Sequence, residues 1–198
     1  FGGPFPEPFC TSKIAGPAQF HSALKQSLGL AGSNAIRLFE PEILEAQRSW
    51  VANSLDAGRE LVIEPWLDRL ADFSAQLEMT PEGLKLCGFT VLLTDAKGQY
   101  LGNCAESHHH TRIPTAIVRL FPECPNISRL MLSLYADIFA SLEKELLAAD
   151  FLGPLGIDAL VYRDATGKPR LKPIVEINPR FTMGRVMVEL MRRAAQGS

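Results

Sequence analysis

Apolar and polar positions change period several times along the chain, and each change marks an element. From residue 70 to 79 and from 84 to 94 apolar residues alternate with polar ones or run together, as they do along strands. The pattern resumes at 99–102, after the turn residues Asp95, Ala96, Lys97 and Gly98. Asn126 is suited to cap a helix in which Ile127, Leu130, Met131, Leu134, Ile138, Leu142 and Leu146 recur at helical spacing, which predicts a long core-facing helix. Gly156 to Arg163, a turn around Asp164, Gly167 and Pro169, and Arg170 to Asn178 predict a β-hairpin.

Nearer the start, three prolines and two glycines among the first nine residues predict an irregular lead-in. A short strand from Gln19 to Lys25, a glycine-bearing turn from Gly29 to Ser33 and a second strand from Asn34 to Leu38 follow. Pro41 and Gly58 bracket a helix with Ile43, Leu44, Trp50, Val51 and Leu55 on one side, expected to lie across a small sheet. Glu60 to Trp66 reads as a buried strand leading out of this first unit. The segment from Val186 to Ala195 is amphipathic.

Composition narrows the function. The chain of 198 residues is long enough for one sizeable core, or a core plus a small satellite domain. Twenty basic against twenty-two acidic side chains leave a charge of -2, with no basic run to track a phosphate backbone, so nucleic acid is not the expected partner. No apolar stretch reaches the roughly 20 residues that cross a bilayer, and no leader pattern opens the chain, so it reads as cytoplasmic and without a membrane partner. Cys10, Cys87, Cys104 and Cys124 lack metal-type spacing and read as reduced packing residues. Phe1 in place of a methionine, and an end shortly after an amphipathic segment, suggest a piece of a longer polypeptide.

The candidate chemistry lies in the hairpin. Glu176 and Asn178 are two apart on its second strand and therefore share a face, and Asp158 lies near the start of the partner strand. Two carboxylates and an amide oxygen are hard donors of the kind magnesium takes, with water and phosphate completing its shell. By itself a strand bearing Glu and Asn reads more readily as a polar solvent face. Its neighbours Leu171, Ile174, Val175 and Ile177 make it apolar enough to expect burial, where an unpaired Glu176 carboxylate would be costly and a cation would remove the cost.

Val175-Glu176-Ile177-Asn178-Pro179-Arg180 resembles the closing motif of the ATP-grasp superfamily of ADP-forming carboxylate ligases, with Gly156-Ile157-Asp158-Ala159 similar to its preceding strand. The resemblance implies that Asp158, Glu176 and Asn178 ligate magnesium. Leu24 to Ser33 is similar to the family's lysine strand and glycine-rich loop, which implies that Lys25 contacts phosphate while Gly29, Gly32 and Ser33 fold over it. A glycine loop lets backbone amides approach phosphate oxygens, and a lysine adds a compact positive charge. Leu61 to Leu67 resembles the hinge, where Glu64, Pro65, Trp66 and Leu67 would contact adenine and Asp72, downstream, the ribose hydroxyls; Pro65 stands where many members carry a second acidic residue.

The resemblance covers residues 19 to 190 and implies an α+β ATP-grasp fold: a lid subdomain over 1–65 and a catalytic subdomain over 66–198, with a mostly antiparallel sheet and flanking helices. It also implies that the Rossmann-like domain usual at the front of the family is missing here, and would be a partner within the same polypeptide. The implied cofactors are ATP and one or two magnesium ions, for which manganese can substitute. The implied reaction converts a carboxylate substrate to an acylphosphate for attack by an amine or similar nucleophile, with ADP released. Activation of bicarbonate, as in carbamoyl-phosphate synthetases and biotin carboxylases, is the alternative, and a non-catalytic ATP-binding module acting as a sensor or partner subunit is another; a second copy of the chain, in a homo-oligomer, is a further partner to consider.

Continuing the alternation of Glu176 and Asn178 brings Arg180 to the same side, facing the transferred phosphoryl group or the substrate carboxylate. Arg185 after Gly184 reads as a solvated charge at the start of a helix whose Val186, Met187, Leu190 and Met191 turn inward. Lys172 shares the face of Glu176 if the strand is regular, although Pro173 interrupts the ladder. His108, His109 and His110 point in different directions on any regular element and read as a loop.

Overall fold

The structure, a computed structural model, describes residues 22–26, 35–38, 44–65, 67–94, 100–106 and 112–196. It divides into two compact units between Leu67 and Asp68. In the first, strands β1 (Ser22–Gln26), β2 (Ala35–Leu38) and β3 (Leu61–Pro65) form an antiparallel sheet in the order β2-β1-β3, accompanied by helix α1 (Glu45–Asp56). Gly58, just past that helix, takes a φ of 69°, a left-handed turn that suits a residue without a Cβ.

Two expectations for this unit need correction. Strand β3 is not buried: it is an edge of the sheet among the described residues, and Val62 and Ile63 are exposed. Leu44 and Leu55 are likewise exposed, and the buried residue of α1 is Ser54, whose hydroxyl donates to the Trp50 carbonyl at 2.8 Å. The helix starts at Glu45, where the Leu44 amide donates to the Gln47 side-chain oxygen at 2.8 Å.

The second unit is a five-stranded antiparallel sheet, β6-β5-β4-β7-β8, made of β4 (Asp68–Thr80), β5 (Gly83–Thr94), β6 (Tyr100–Cys104), β7 (Gly153–Arg163) and β8 (Pro169–Asn178). A short helix α2 (Thr115–Val118) and the long helix α3 (Ile127–Ala148) intervene between β6 and β7, and α4 (Met183–Gln196) follows β8. On one sheet face Phe73, Ala75, Leu77 and Met79 of β4 join Leu155, Ile157, Ala159 and Val161 of β7 in a core closed by α3 through Met131, Tyr135 and Leu146. The Tyr135 ring meets Phe73 and Phe89 edge-on, at centroid distances of 6.2 and 5.7 Å. Within α3, Leu130 is exposed rather than core-facing, and the Asn126 side chain makes no capping hydrogen bond, so packing rather than capping defines this helix.

On the opposite sheet face α4 packs over β4, β5 and β6, with Gly184, Arg185 and Val188 as its buried positions. Leu190, expected to turn inward, is exposed, as are Phe181 and Met183 nearby. At the β7–β8 turn the Asp164 carboxylate accepts the Thr166 and Lys168 amides, the Thr166 hydroxyl and Arg170 Nε, bonds that hold its acidity well above that of an ordinary aspartate.

Candidate functional site

Strands β7 and β8 bring the hairpin residues together. Asp158 lies directly opposite Glu176, and Asn178 opposite Gly156, so by pleat alternation all three side chains share one sheet face. Asn178 Nδ2 donates to Asp158 Oδ2 at 3.0 Å, and an Arg180 guanidinium nitrogen donates to Asn178 Oδ1 at 3.1 Å. Between Asp158 and Leu160 the register slips, so that Pro173, Ile174 and Val175 bulge opposite Ala159 alone and Lys172 faces Leu160. The bulge keeps Lys172 on the Asp158 face. From the core side the Tyr135 hydroxyl donates to the Pro173 carbonyl at 3.0 Å, satisfying a group the bulge leaves without a ladder partner.

The expected burial of Glu176 is corrected. Strand β8 is the sheet edge, and Glu176, Ile174 and Ile177 are all exposed. Desolvation falls instead on Asp158, where burial pushes the carboxyl above its usual range while the Ser74 and Asn178 hydrogen bonds and the nearby Arg180 charge pull it down; Asp72 adds like-charge repulsion. Asp72, two residues from Ser74 on β4 and so on the same face, is raised too, chiefly by burial and against the Arg69 guanidinium at 3.2 Å.

Beneath these residues is a layer that the sequence reading did not single out. Gln76 Nε2 donates to Ser74 Oγ at 2.8 Å, Gln76 Oε1 accepts the Thr182 hydroxyl at 2.5 Å, and Thr182 Oγ1 accepts the Arg185 amide at 3.1 Å. Strict alternation of Asp72, Ser74, Gln76 and Glu78 with Phe73, Ala75, Leu77 and Met79 was the available signal. Arg185 is also corrected: it is 8% exposed rather than solvated, bonded to Glu78 Oε2 at 2.5 Å and Glu189 Oε1 at 2.7 Å, with the Leu77 carbonyl at 3.4 Å. A buried guanidinium needs such partners.

The donor set suits a hard divalent cation. Asp158 and Glu176 supply carboxylate oxygens, and the Asn178 carbonyl has two lone pairs, of which Arg180 engages one. Among the described residues no group of three His, Cys, Asp or Glu could hold a metal ion, and this set contains two carboxylates and one amide oxygen. The remaining candidates belong to the first unit or lie outside the described residues. Lys25 is in β1, opposite Ala35 and Val62, and Glu64 and Pro65 end β3, with Leu67 just beyond. Gly29, Gly32, Ser33, Trp66 and the histidines 108–110 lie outside the described residues.

No family model matches the chain, and no curated protein matches it in sequence. Solved structures do match it in shape. A Rhizobium etli pyruvate carboxylase superposes with a TM-score of 0.55 over 86% of this chain at 18% identity, and a Campylobacter jejuni biotin carboxylase bound to a β,γ-ATP ligand with a TM-score of 0.55 over 90% at 14% identity. The chain spans 13% and 37% of the lengths of those two proteins. An antiparallel five-stranded sheet flanked by helices, closed by a hairpin carrying Asp158, Glu176 and Asn178, and this likeness in shape together give the chain an α+β ATP-grasp fold.

Proposed function

We propose that the chain binds magnesium-ATP and serves an ADP-forming ligase that activates a carboxylate as an acylphosphate for attack by an amine. The observation that carries this reading is the cross-strand pair of Asp158 and Glu176 with Asn178 one pleat away, an all-oxygen set on the sheet face away from the core. A magnesium ion held there would neutralise phosphate charge and favour phosphoryl transfer. Arg180, bonded to Asn178 and close enough to influence Asp158, is assigned to the transferred phosphoryl group or the carboxylate, which a guanidinium meets with two parallel hydrogen bonds. Lys25 is assigned to phosphate, Gly29, Gly32 and Ser33 to the loop over it, Glu64, Pro65, Trp66 and Leu67 to adenine, and Asp72 to ribose. These roles divide between a lid over 1–65 and a catalytic subdomain over 66–198.

A second reading, bicarbonate as the activated acid, draws on the two carboxylases that share the fold. Both readings place further substrate contacts in other parts of a longer polypeptide. A cytoplasmic setting agrees with Cys87, Cys104 and Cys124 as free thiols, and no described helix is long and apolar enough to cross a membrane.

Calorimetry of ATP binding with and without magnesium tests the site. Binding that depends on the metal, and weakens about tenfold or more in Glu176→Gln, is expected from the loss of a charged ligand, each factor of ten being about 1.4 kcal/mol. Equal affinity with and without the metal would remove the reading. ADP release driven by bicarbonate rather than by organic carboxylates would select the second acid.

A further inference from the structure

We propose that Gln76 and Ser74 are positioning residues that orient the Asp158 carboxylate, linking it to the turn that opens α4. The inference rests on the metal-nucleotide reading of Asp158 above. Its geometry is a single hydrogen-bonded line. Thr182 Oγ1 accepts the Arg185 amide and therefore turns its own proton toward Gln76 Oε1. That end of the amide being an acceptor, the Nε2 end donates to Ser74 Oγ at 2.8 Å. Ser74 lies directly opposite Asp158 on the same sheet face, so with its oxygen engaged by Gln76 its single proton is directed to the Asp158 carboxylate. Asn178 Nδ2 grips Oδ2 of the same carboxylate at 3.0 Å, so Asp158 receives one donor from the neighbouring strand on each side.

Two glycines give the line its room. A Cβ at Gly184 would sit 2.4 Å from Gln76 Nε2, and one at Gly156 would sit 3.0 Å from the Thr182 methyl and 3.4 Å from Gln76 Oε1. Gln76 and Ser74 are 1% and 3% exposed, so water does not compete for these bonds. A leucine at 76 would fill the space beneath α4 without any polar group to satisfy. The amide has a purpose if what it delivers is direction: every rotor from α4 to Asp158 is held in one sense, and the carboxylate meets a cation already oriented.

Manganese binding in the presence of ADP, followed by electron paramagnetic resonance or calorimetry, reads this without turnover. Ser74→Ala should weaken manganese-ADP binding about tenfold, at the lower end of the roughly 10–100-fold effect of losing an outer partner of a metal ligand, in a protein that stays folded although the buried Gln76 amide loses its acceptor. Ser74→Thr keeps the hydroxyl and should restore affinity. Because the bonds act in series, Gln76→Leu should weaken binding by a similar factor, and the double variant Ser74→Ala with Gln76→Leu should be no weaker than either single one. Unchanged affinity in Ser74→Ala, or losses that simply multiply in the double variant, would overturn the relay. Glu176→Gln separates the two ideas. If it weakens binding while Ser74→Ala does not, the relay alone falls; if it too binds like the wild type, the metal site falls and takes the relay with it.

Discussion

On one face of β4, Phe73, Ala75, Leu77 and Met79 are almost wholly removed from water and belong to one hydrophobic cluster. On the other face of the same strand, Asp72, Ser74, Gln76 and Glu78 meet Arg69, Asp158, Thr182 and Arg185 through hydrogen bonds and ion pairs. A helix packs on each face, α3 on the first and α4 on the second, and Ser74 and Gln76 are buried as deeply as their apolar neighbours while Asp72 and Glu78 are half-buried, so burial alone does not separate the faces. Direction does. The apolar face is held by contacts that tolerate any well-fitting shape, whereas on the polar face each donor must find its acceptor. The first face stabilises the fold, and the second can aim a functional group.

Three substitutions test that contrast. Phe73→Ala should have the largest effect, about 3–5 kcal/mol of stability lost in denaturant unfolding, because it empties a site packed against Tyr135. Nucleotide affinity of the remaining folded protein should be unchanged, and a selective loss of affinity would mean that the faces are coupled. Gly184→Ala places a methyl group against Gln76 Nε2 and the Thr90 hydroxyl, and should cost about 1–3 kcal/mol. A neutral result by thermal unfolding would show that α4 is not seated closely on the polar face. The smallest effect is expected at Thr90, whose buried hydroxyl has no hydrogen-bond partner among the described residues. Thr90→Val removes that cost and should stabilise by about 1 kcal/mol. Destabilisation would mean that this hydroxyl belongs to the polar line after all.

Much of the site could be read without coordinates because its logic is local. Glu176 and Asn178 share a face by the period of a strand, and the hairpin turn from Asp164 to Pro169 sets Asp158 on that same face, although register counted from the turn pairs it with Ile174 and only the bulge at 173–175 brings Glu176 opposite. The long helix was legible from its spacing, although Leu130 faces solvent and Tyr135, not singled out by that spacing, is the centre of the aromatic cluster. Arg185 was misread because its partners Glu78 and Leu77 are more than a hundred positions away in sequence.

The sequence by itself therefore determined which residues alternate on each strand, where the hairpin turns and which oxygen donors share a face, since these follow from backbone period and turn chemistry over a few residues, while the bulge that sets Glu176 opposite Asp158 came only with the structure. Only the tertiary structure decided that β8 is an edge strand, which exposes Glu176 and moves the desolvation to Asp158. It also decided that Thr182 meets Gln76 across 106 positions. Strand order and helix seating come from which surfaces bury each other, and that is a property of the whole chain rather than of any window along it.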